Sequence, residues 1–204
     1  SSDLGCLIEV ISGTNLDDFL RKNIFEPLGM KDTYFNVPAA KASRMATVYT
    51  EDKDHHIIEW SHEFRNIDPD YPLMNTKYFS GGAGLSSTAF DYAVFLQMLL
   101  NGGKYNGHQV LAPRIVEMMV SGQLDFTIGA NKDNFGLGFE ITSDKAAAKL
   151  PRNQGSFAWG GYYGTTYWAD PKAHLICLVL TQQSPNSHGD LSQKFETLVY
   201  SSLK

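Results

Sequence analysis

Residues 157–170 read Phe-Ala-Trp-Gly-Gly-Tyr-Tyr-Gly-Thr-Thr-Tyr-Trp-Ala-Asp, and this run constrains the fold more than any other part of the chain. Aromatic and β-branched side chains crowd its second half, a composition suited to a pleated, half-buried surface. Three glycines interrupt it: Gly160, Gly161 and Gly164. Glycine inside a strand gives up side-chain packing, so it marks a bulge or a close approach of backbone to something else. Asp170-Pro171 ends the run as a turn, and the apolar residues 175–180 resume as a second strand. The expectation is a hairpin whose first strand carries a Gly-Gly step. Such a hairpin can wall an active site; it can equally be an ordinary hairpin whose glycines make room for aromatic rings.

The segments before it are mostly helical. Leu4, Leu7, Ile8 and Ile11 follow helical spacing, and Gly13 is the expected left-handed C-cap. Asn15 caps a second helix, with Asp18 three residues on and Leu16, Phe19, Leu20, Ile24 and Phe25 as its buried stripe; Pro27-Leu28-Gly29 breaks it. Residues 31–80 form a loop-rich stretch with short extended segments expected at 33–37 and 57–60. His55, His56 and His62 fall there at spacings that match no zinc motif.

Gly81-Gly82-Ala83-Gly84 leads into Thr88 and Asp91, a capping box for a helix whose apolar face is Tyr92, Phe95, Leu96, Leu99 and Leu100. Neither the Walker spacing nor G-x-G-x-x-G after a strand is present, so a nucleotide site is not expected. Residues 111–120 read as another helix, with Pro113 in its first turn and Ile115, Val116 and Met119 on one face. Residues 135–141 read as one strand, and 191–203 as a last helix with Phe195, Leu198 and Val199 on one side. Helices first, then three strands, then a helix predict an α+β fold.

Composition excludes several functions. The chain has 204 residues and a formal net charge of -5, with no basic run, which argues against nucleic-acid binding. No apolar run approaches a membrane span. Cys6 and Cys177 lie in different apolar elements and read as buried free thiols rather than a disulfide framework. No metal or other cofactor is expected.

No local catalytic signature occurs: neither G-x-S-x-G nor H-E-x-x-H is present. One S-x-x-K falls at residues 201–204, at the extreme end of the chain, and Tyr34-Phe35-Asn36 is one Tyr-x-Asn match; short patterns of this kind arise by chance, and neither is given a role.

Four segments nevertheless carry a resemblance. Leu4-Gly5-Cys6-Leu7-Ile8-Glu9-Val10-Ile11-Ser12-Gly13, the Pro-Leu-Gly-Met segment within 24–33, the Gly-rich 81–88 with its following helix, and 157–171 occur in the order seen in the serine β-lactamase-like and penicillin-binding-protein-like superfamily. The closest flavour is the class C β-lactamases and related esterases. The chain resembles the C-terminal part of that fold: an incomplete β-lactamase/transpeptidase-like antiparallel sheet with flanking helices. Residues 1–134 would be a portion of the helical, loop-rich subdomain, and 135–204 the C-terminal strands and helix, together one truncated catalytic domain.

The resemblance implies site residues. Trp159-Gly160-Gly161 occupies the position of the superfamily's Lys-Thr-Gly, as in esterase-like members, and would bind substrate. The backbone N–H of Tyr162 would be one oxyanion donor. The nucleophilic serine and lysine of Ser-x-x-Lys, and the catalytic tyrosine, are not among these residues, although Ser1 or Ser2 falls where the tyrosine motif would end. The implied function is a serine hydrolase working through an acyl-enzyme on ester or amide substrates, esters favoured, with this piece inactive alone. A non-catalytic binding or interaction module of the same fold is the alternative, and an unrelated α+β domain a further one. The implied partners are a small ester or amide, and either a preceding segment or a second copy completing the sheet along residues 175–180. The implied location is periplasmic or secreted.

Overall fold

The computed structural model describes residues 2–61, 67–187 and 189–203; Ser1, His62 and Lys204 lie outside them. Helix α1 (Ser2–Ser12) forms where the spacing predicts it, and Gly13 closes it at φ 67°, its N–H donating to Glu9 O at 2.9 Å. Its apolar stripe is not covered, however: Leu4, Leu7, Val10 and Ile11 stay exposed, and so does the free thiol of Cys6, expected to be buried as Cys177 is. The side turned inward carries Gly5, where a Cβ would lie 3.2 Å from Gly81 N and 3.0 Å from the Leu16 side chain. Helix α1 thus packs close against the Gly-rich segment, and a side chain at Gly5 would make its neighbours give by a few tenths of an ångström.

Helix α2 (Leu16–Leu20) is capped by Asn15, whose Oδ1 accepts from Asp18 N at 2.8 Å. The expected break at Pro27 is displaced. The helix widens into a π turn (Arg21–Phe25), with Glu26 N donating to Arg21 O, continues as α3 (Glu26–Leu28), and ends at Gly29 with φ 72°. Proline has no N–H and its ring crowds the carbonyl four residues back, and a wider turn relieves both problems.

Among the described residues, 31–80 hold one hairpin, β1 (Tyr49–Glu51) with β2 (Ile57–Glu59), and two short 3₁₀ turns at Ala39–Arg44 and Tyr71–Leu73. The extended segment expected at 33–37 reduces to a single bridge between Tyr34 and Ser86. Tyr34 and Asn36 are structural: Lys41 Nζ donates to the Tyr34 hydroxyl at 2.6 Å, and Asn36 exchanges bonds with the Thr76 backbone. Arg44 and Lys41 grip Asp32 and hold its carboxyl down to about 2.

The capping box at α4 (Ala89–Leu100) forms by half. Thr88 Oγ1 accepts from Asp91 N, but the Asp91 carboxylate does not return to Thr88. It is buried and accepts from Asp32 N at 2.7 Å and Thr33 Oγ1 at 2.9 Å, pinning residues 32–33 to the start of α4. Val94 and Met98 are buried with Leu96 and Leu99, so α4 is covered more widely than one stripe. A small hairpin follows, β3 (Lys104–Tyr105) with β4 (His108–Gln109), then α5 (Pro113–Met119), which buries Val116 but leaves Ile115 exposed.

The rest is a five-stranded antiparallel sheet in simple up-and-down order: β5 (Asn134–Phe135), β6 (Glu140–Ile141), β7 (Phe157–Gly160), β8 (Thr166–Asp170) and β9 (Leu175–Val179). Five strands replace the expected three because two runs fold back on themselves. Residues 135–141 reverse at Gly138 (φ 103°), and 157–170 reverse at Gly164 (φ 81°). Helix α6 (Asp144–Ala147) lies between β6 and β7, and α7 (Leu191–Ser202) follows the sheet.

The pleat separates two cores. Ala158, Trp168 and Cys177 face Val199 and Tyr200 of α7. Phe157, Tyr167 and Ala169 face the helices, in one cluster with Phe25, Leu28, Met30, Leu96, Met98 and Leu99. Burying Phe157 or Leu96 is worth about 1.5–3 kcal/mol each, and the shared cluster joins residues on both sides of position 134. On α7, Leu198 is exposed rather than buried, and Glu196 takes an inward place. Strand β9 pairs with β8 on one side; among the described residues no strand pairs with its other edge. The strand bearing Trp159 is therefore central and backed by the C-terminal helix, which removes the unrelated α+β reading.

Candidate active site

The site is built at the end of β7. Strand β6 pairs with β7 only at Ile141–Phe157 and Glu140–Ala158, whereas β8 stays in register as far as Gly160–Thr166. Trp159, Gly160 and Gly161 thus run past the end of β6, paired on one side only by named strands. All three are exposed. Trp159 keeps 46 % of its surface open and meets Phe135 of β5 edge-on, with ring centroids 5.0 Å apart.

Tyr162 is not in the strand. Gly164 N donates to Gly161 O at 3.1 Å and Gly161 N to Thr165 O at 2.7 Å, so Tyr162 and Tyr163 are the corners of the turn joining β7 to β8. A three-residue loop with glycine in the left-handed third position matches the twist of an antiparallel pair. The three glycines therefore have different reasons. At Gly164 the backbone demands it: φ is 81°, and a Cβ would sit 2.5 Å from Thr181 Oγ1. At Gly160 and Gly161 φ is not left-handed, and a Cβ would meet only Thr165, at 3.2 and 3.4 Å.

Aromatic contacts seat this hairpin from two further directions. Tyr92 of α4 lies edge-on to Tyr167 of β8 at 4.8 Å, and Trp60 lies edge-on to Tyr163 at 5.7 Å. Burial raises the Tyr92 and Tyr167 phenols above their ordinary range, and their mutual contact raises Tyr167 further. Both stay protonated at neutral pH, which suits hydrogen bonding and not base catalysis.

Other candidate groups lie apart. Concavities of about 240 Å³, among residues including Thr47, Trp60 and Leu73, and about 320 Å³, beside Arg152 and Lys172, do not include residues 159–162. The ledge is open, and its chemistry rather than its volume marks it. Asp52, Asp54 and His56 bring ligating atoms within 4.8 Å of one another in the exposed β1–β2 turn, where Asp52 already accepts from the N–H groups of Asp54 and His56. Ser201, of the C-terminal S-x-x-K, donates to Thr197 O within α7. Sequence reasoning missed Trp60 and Glu51, both of which join the hairpin from the loop-rich region; no local pattern announces a contact so distant in the chain.

The sheet order, the glycine-bearing central strand and the backing helix together define the β-lactamase/transpeptidase-like fold. The family model described as Beta-lactamase matches residues 3–199, and the chain belongs to that family. Protein Rv1367c of Mycobacterium tuberculosis is 32 % identical over 198 residues, covering 90 % of this chain and 47 % of that protein. A putative D-alanyl-D-alanine carboxypeptidase of Escherichia coli O157:H7 is 29 % identical over 195 residues, covering 88 % and 43 %. Among solved structures, EstCE1, described as a hydrolase with promiscuous acyltransferase activity, superposes with a TM-score of 0.82 at 25 % identity, covering 97 % of this chain and 54 % of that one. The chain spans about half the length of the curated relatives it matches. Among the described residues no helix is long and apolar enough to cross a membrane.

Proposed function

We propose that this chain supplies one wall of the acyl-transfer site of a serine hydrolase acting on small ester or amide substrates, with esters favoured. The observation that carries the reading is the Trp159–Gly161 ledge, exposed on the central strand beyond the end of β6 in a chain of the Beta-lactamase family. Trp159 stands where a lysine would add a cation, so the ledge offers an aromatic face to a neutral acyl group. EstCE1's description as a hydrolase and acyltransferase supports the ester side, and the carboxypeptidase relatives keep amides within the class.

In this reading the nucleophilic serine and its base come from polypeptide outside these 204 residues. The serine oxygen bonds to the substrate carbonyl carbon as its proton passes to the base. The carbonyl oxygen becomes an oxyanion, and the Tyr162 N–H is one of its donors. Collapse expels the alcohol or amine, which takes the proton, and water then hydrolyses the acyl-enzyme. One such donor is worth about 2.7–4 kcal/mol of barrier. A periplasmic or secreted location goes with this reading.

The test is fluorophosphonate labelling of the protein expressed from its full coding sequence, with the adduct mapped by peptide mass spectrometry. An adduct on a serine outside residues 1–204, together with hydrolysis of p-nitrophenyl esters, is the expected result. An adduct on a serine within residues 1–204 overturns the division of roles. No adduct and no hydrolysis of esters or amides overturns the catalytic reading in favour of a binding module.

A further inference from the structure

The β7–β8 turn is held by a polar relay that begins far away in the chain. The Tyr163 carbonyl accepts from Gln183 N at 3.0 Å and from Thr181 Oγ1 at 2.9 Å, so the turn carrying Tyr162 cannot shift without moving residues 181–183. Gln183 is itself gripped from the other side. Its Nε2 donates to Glu51 Oε1 at 3.1 Å, and the same oxygen accepts from Ser187 N at 2.7 Å and Ser187 Oγ at 3.0 Å. Backbone bonds reinforce the contact: Tyr49 N donates to Gln182 O at 2.7 Å, and Ser184 N to Tyr49 O at 3.1 Å.

The Glu51 side chain is 3 % exposed and Thr50 beside it is buried, although Tyr49, Ile57 and Ile58 of the same hairpin are exposed. Burying a carboxylate is unfavourable unless its bonds are made, and here three donors from two residues converge on one oxygen. The Ser187 N–H first, then His55 beside the other oxygen and the Ser187 hydroxyl, hold the Glu51 carboxyl below its ordinary range against the effect of burial. Trp60, just past β2, sets its ring edge-on against Tyr163. The β1–β2 hairpin therefore reaches the turn by two routes, one polar through Gln183 and one aromatic through Tyr163.

We propose that Glu51 is a positioning residue for acyl transfer: through Gln183 and the Tyr163 carbonyl it fixes the placement of the Tyr162 turn at the active-site ledge. The inference rests on the function reading above. It assigns a catalytic consequence to a residue that touches neither substrate nor reacting atoms. The acceptor oxygen is what matters, so Glu51→Gln, which keeps a carbonyl for the same three donors, should preserve the placement, and Glu51→Ala should not.

The experiment compares the full-length protein with Glu51→Ala, Glu51→Gln and Gln183→Ala. It measures kcat and KM on a p-nitrophenyl ester, the rate of fluorophosphonate labelling, and thermal melting. Misplacing a catalytic donor without removing it should lower kcat and labelling about tenfold in Glu51→Ala and Gln183→Ala, with KM within about twofold. Glu51→Gln should recover to within about threefold of the parent. Gln183→Ala leaves Glu51 its two bonds from Ser187, so it carries the test if Glu51→Ala does not fold. A folded Glu51→Ala or Gln183→Ala with the parent's kcat overturns the proposal, even if its melting temperature falls. If the parent itself takes no label and hydrolyses nothing, the function reading fails and this inference with it; if the parent is active and the variants match it, only this inference fails.

Discussion

Asp170 is where the sheet, its backing helix and the loop before β7 meet, and Asp170→Asn is the sharpest test of how that junction is held. The residue is fully buried. Its Oδ2 accepts from Tyr200 OH at 2.7 Å, Asn153 Nδ2 at 2.8 Å and Asn153 N at 3.1 Å; its Oδ1 accepts from Lys172 N and Ala173 N, both at 3.0 Å. Asparagine keeps the shape and loses half of the acceptor capacity. If the amide nitrogen replaces Oδ2, the Tyr200 hydroxyl can rotate and the Asn153 side-chain amide can flip to accept from it, but the Asn153 backbone N–H is stranded. If it replaces Oδ1, it faces two backbone N–H groups.

The first orientation strands one donor and the second two, so the less costly one loses about 1–3 kcal/mol. In a chain of this size each kcal/mol moves Tm by about 2–4 °C, so Tm should fall by about 2–12 °C. The assay is guanidinium unfolding followed by circular dichroism across a pH series. Burial works to raise the Asp170 carboxyl, but the bonds from Tyr200, Ala173 and Asn153 outweigh it and hold the group below its ordinary range. A depressed folded value means the carboxylate's stabilisation is complete above the unfolded value of about 4 and is lost as pH falls towards the folded one. The gap between parent and Asp170→Asn should therefore narrow in acid. A loss below about 0.5 kcal/mol at pH 7 would refute the reasoning, since that is the scatter of ordinary surface substitutions. So would a gap that stays constant down to pH 3.

Three further substitutions separate scaffold from site and charge from packing. Gly164→Ala must hold φ 81° and place a Cβ 2.5 Å from Thr181 Oγ1, so it should cost at least about 2 kcal/mol in unfolding measurements. Gly161→Ala, with a nearest atom at 3.4 Å, should cost under about 1 kcal/mol yet slow fluorophosphonate labelling of the full-length protein by about tenfold. Glu140 is raised above its ordinary range by burial and by the nearby Asp133, against the pull of Arg152. A raised folded value gives stability that is present in acid and lost as pH rises through it, so Glu140→Gln should flatten the decline in unfolding free energy above about pH 4. An unchanged pH profile would show that Glu140 ionises freely.

Much of the local architecture was legible from short-range chemistry. Asn15 and Thr88 cap their helices because a side-chain oxygen three residues before an N–H makes the same bond in any context. Gly13 and Gly29 end helices at left-handed φ for an equally local reason. The order of the glycine-bearing segments was enough to point to the family, and the α+β division followed from the order of the predicted helices and strands.

What the sequence left open were matters of long-range partnership. A glycine advertises that its backbone can turn, and not whether it will: Gly138 and Gly164 reverse the chain, making hairpins of two runs that read as single strands, while Gly160 and Gly161 do not. Asp91 sat three residues after a cap, where a carboxylate can return to the cap's own N–H, yet Asp32 and Thr33 claim it from 59 and 58 residues away. Asp170 read as the end of a strand, which it is, but nothing local announced that it would also be the acceptor for a helix and a loop. Glu51 lies 132 residues before Gln183, in a region with no periodic pattern, and reaches the β7–β8 turn only because the β1–β2 hairpin docks there. Periodicity and caps are set by neighbours a few residues apart, so the sequence alone determines them. Which buried donor meets which carboxylate depends on where separate segments come to rest, and that is decided only when the whole chain has packed.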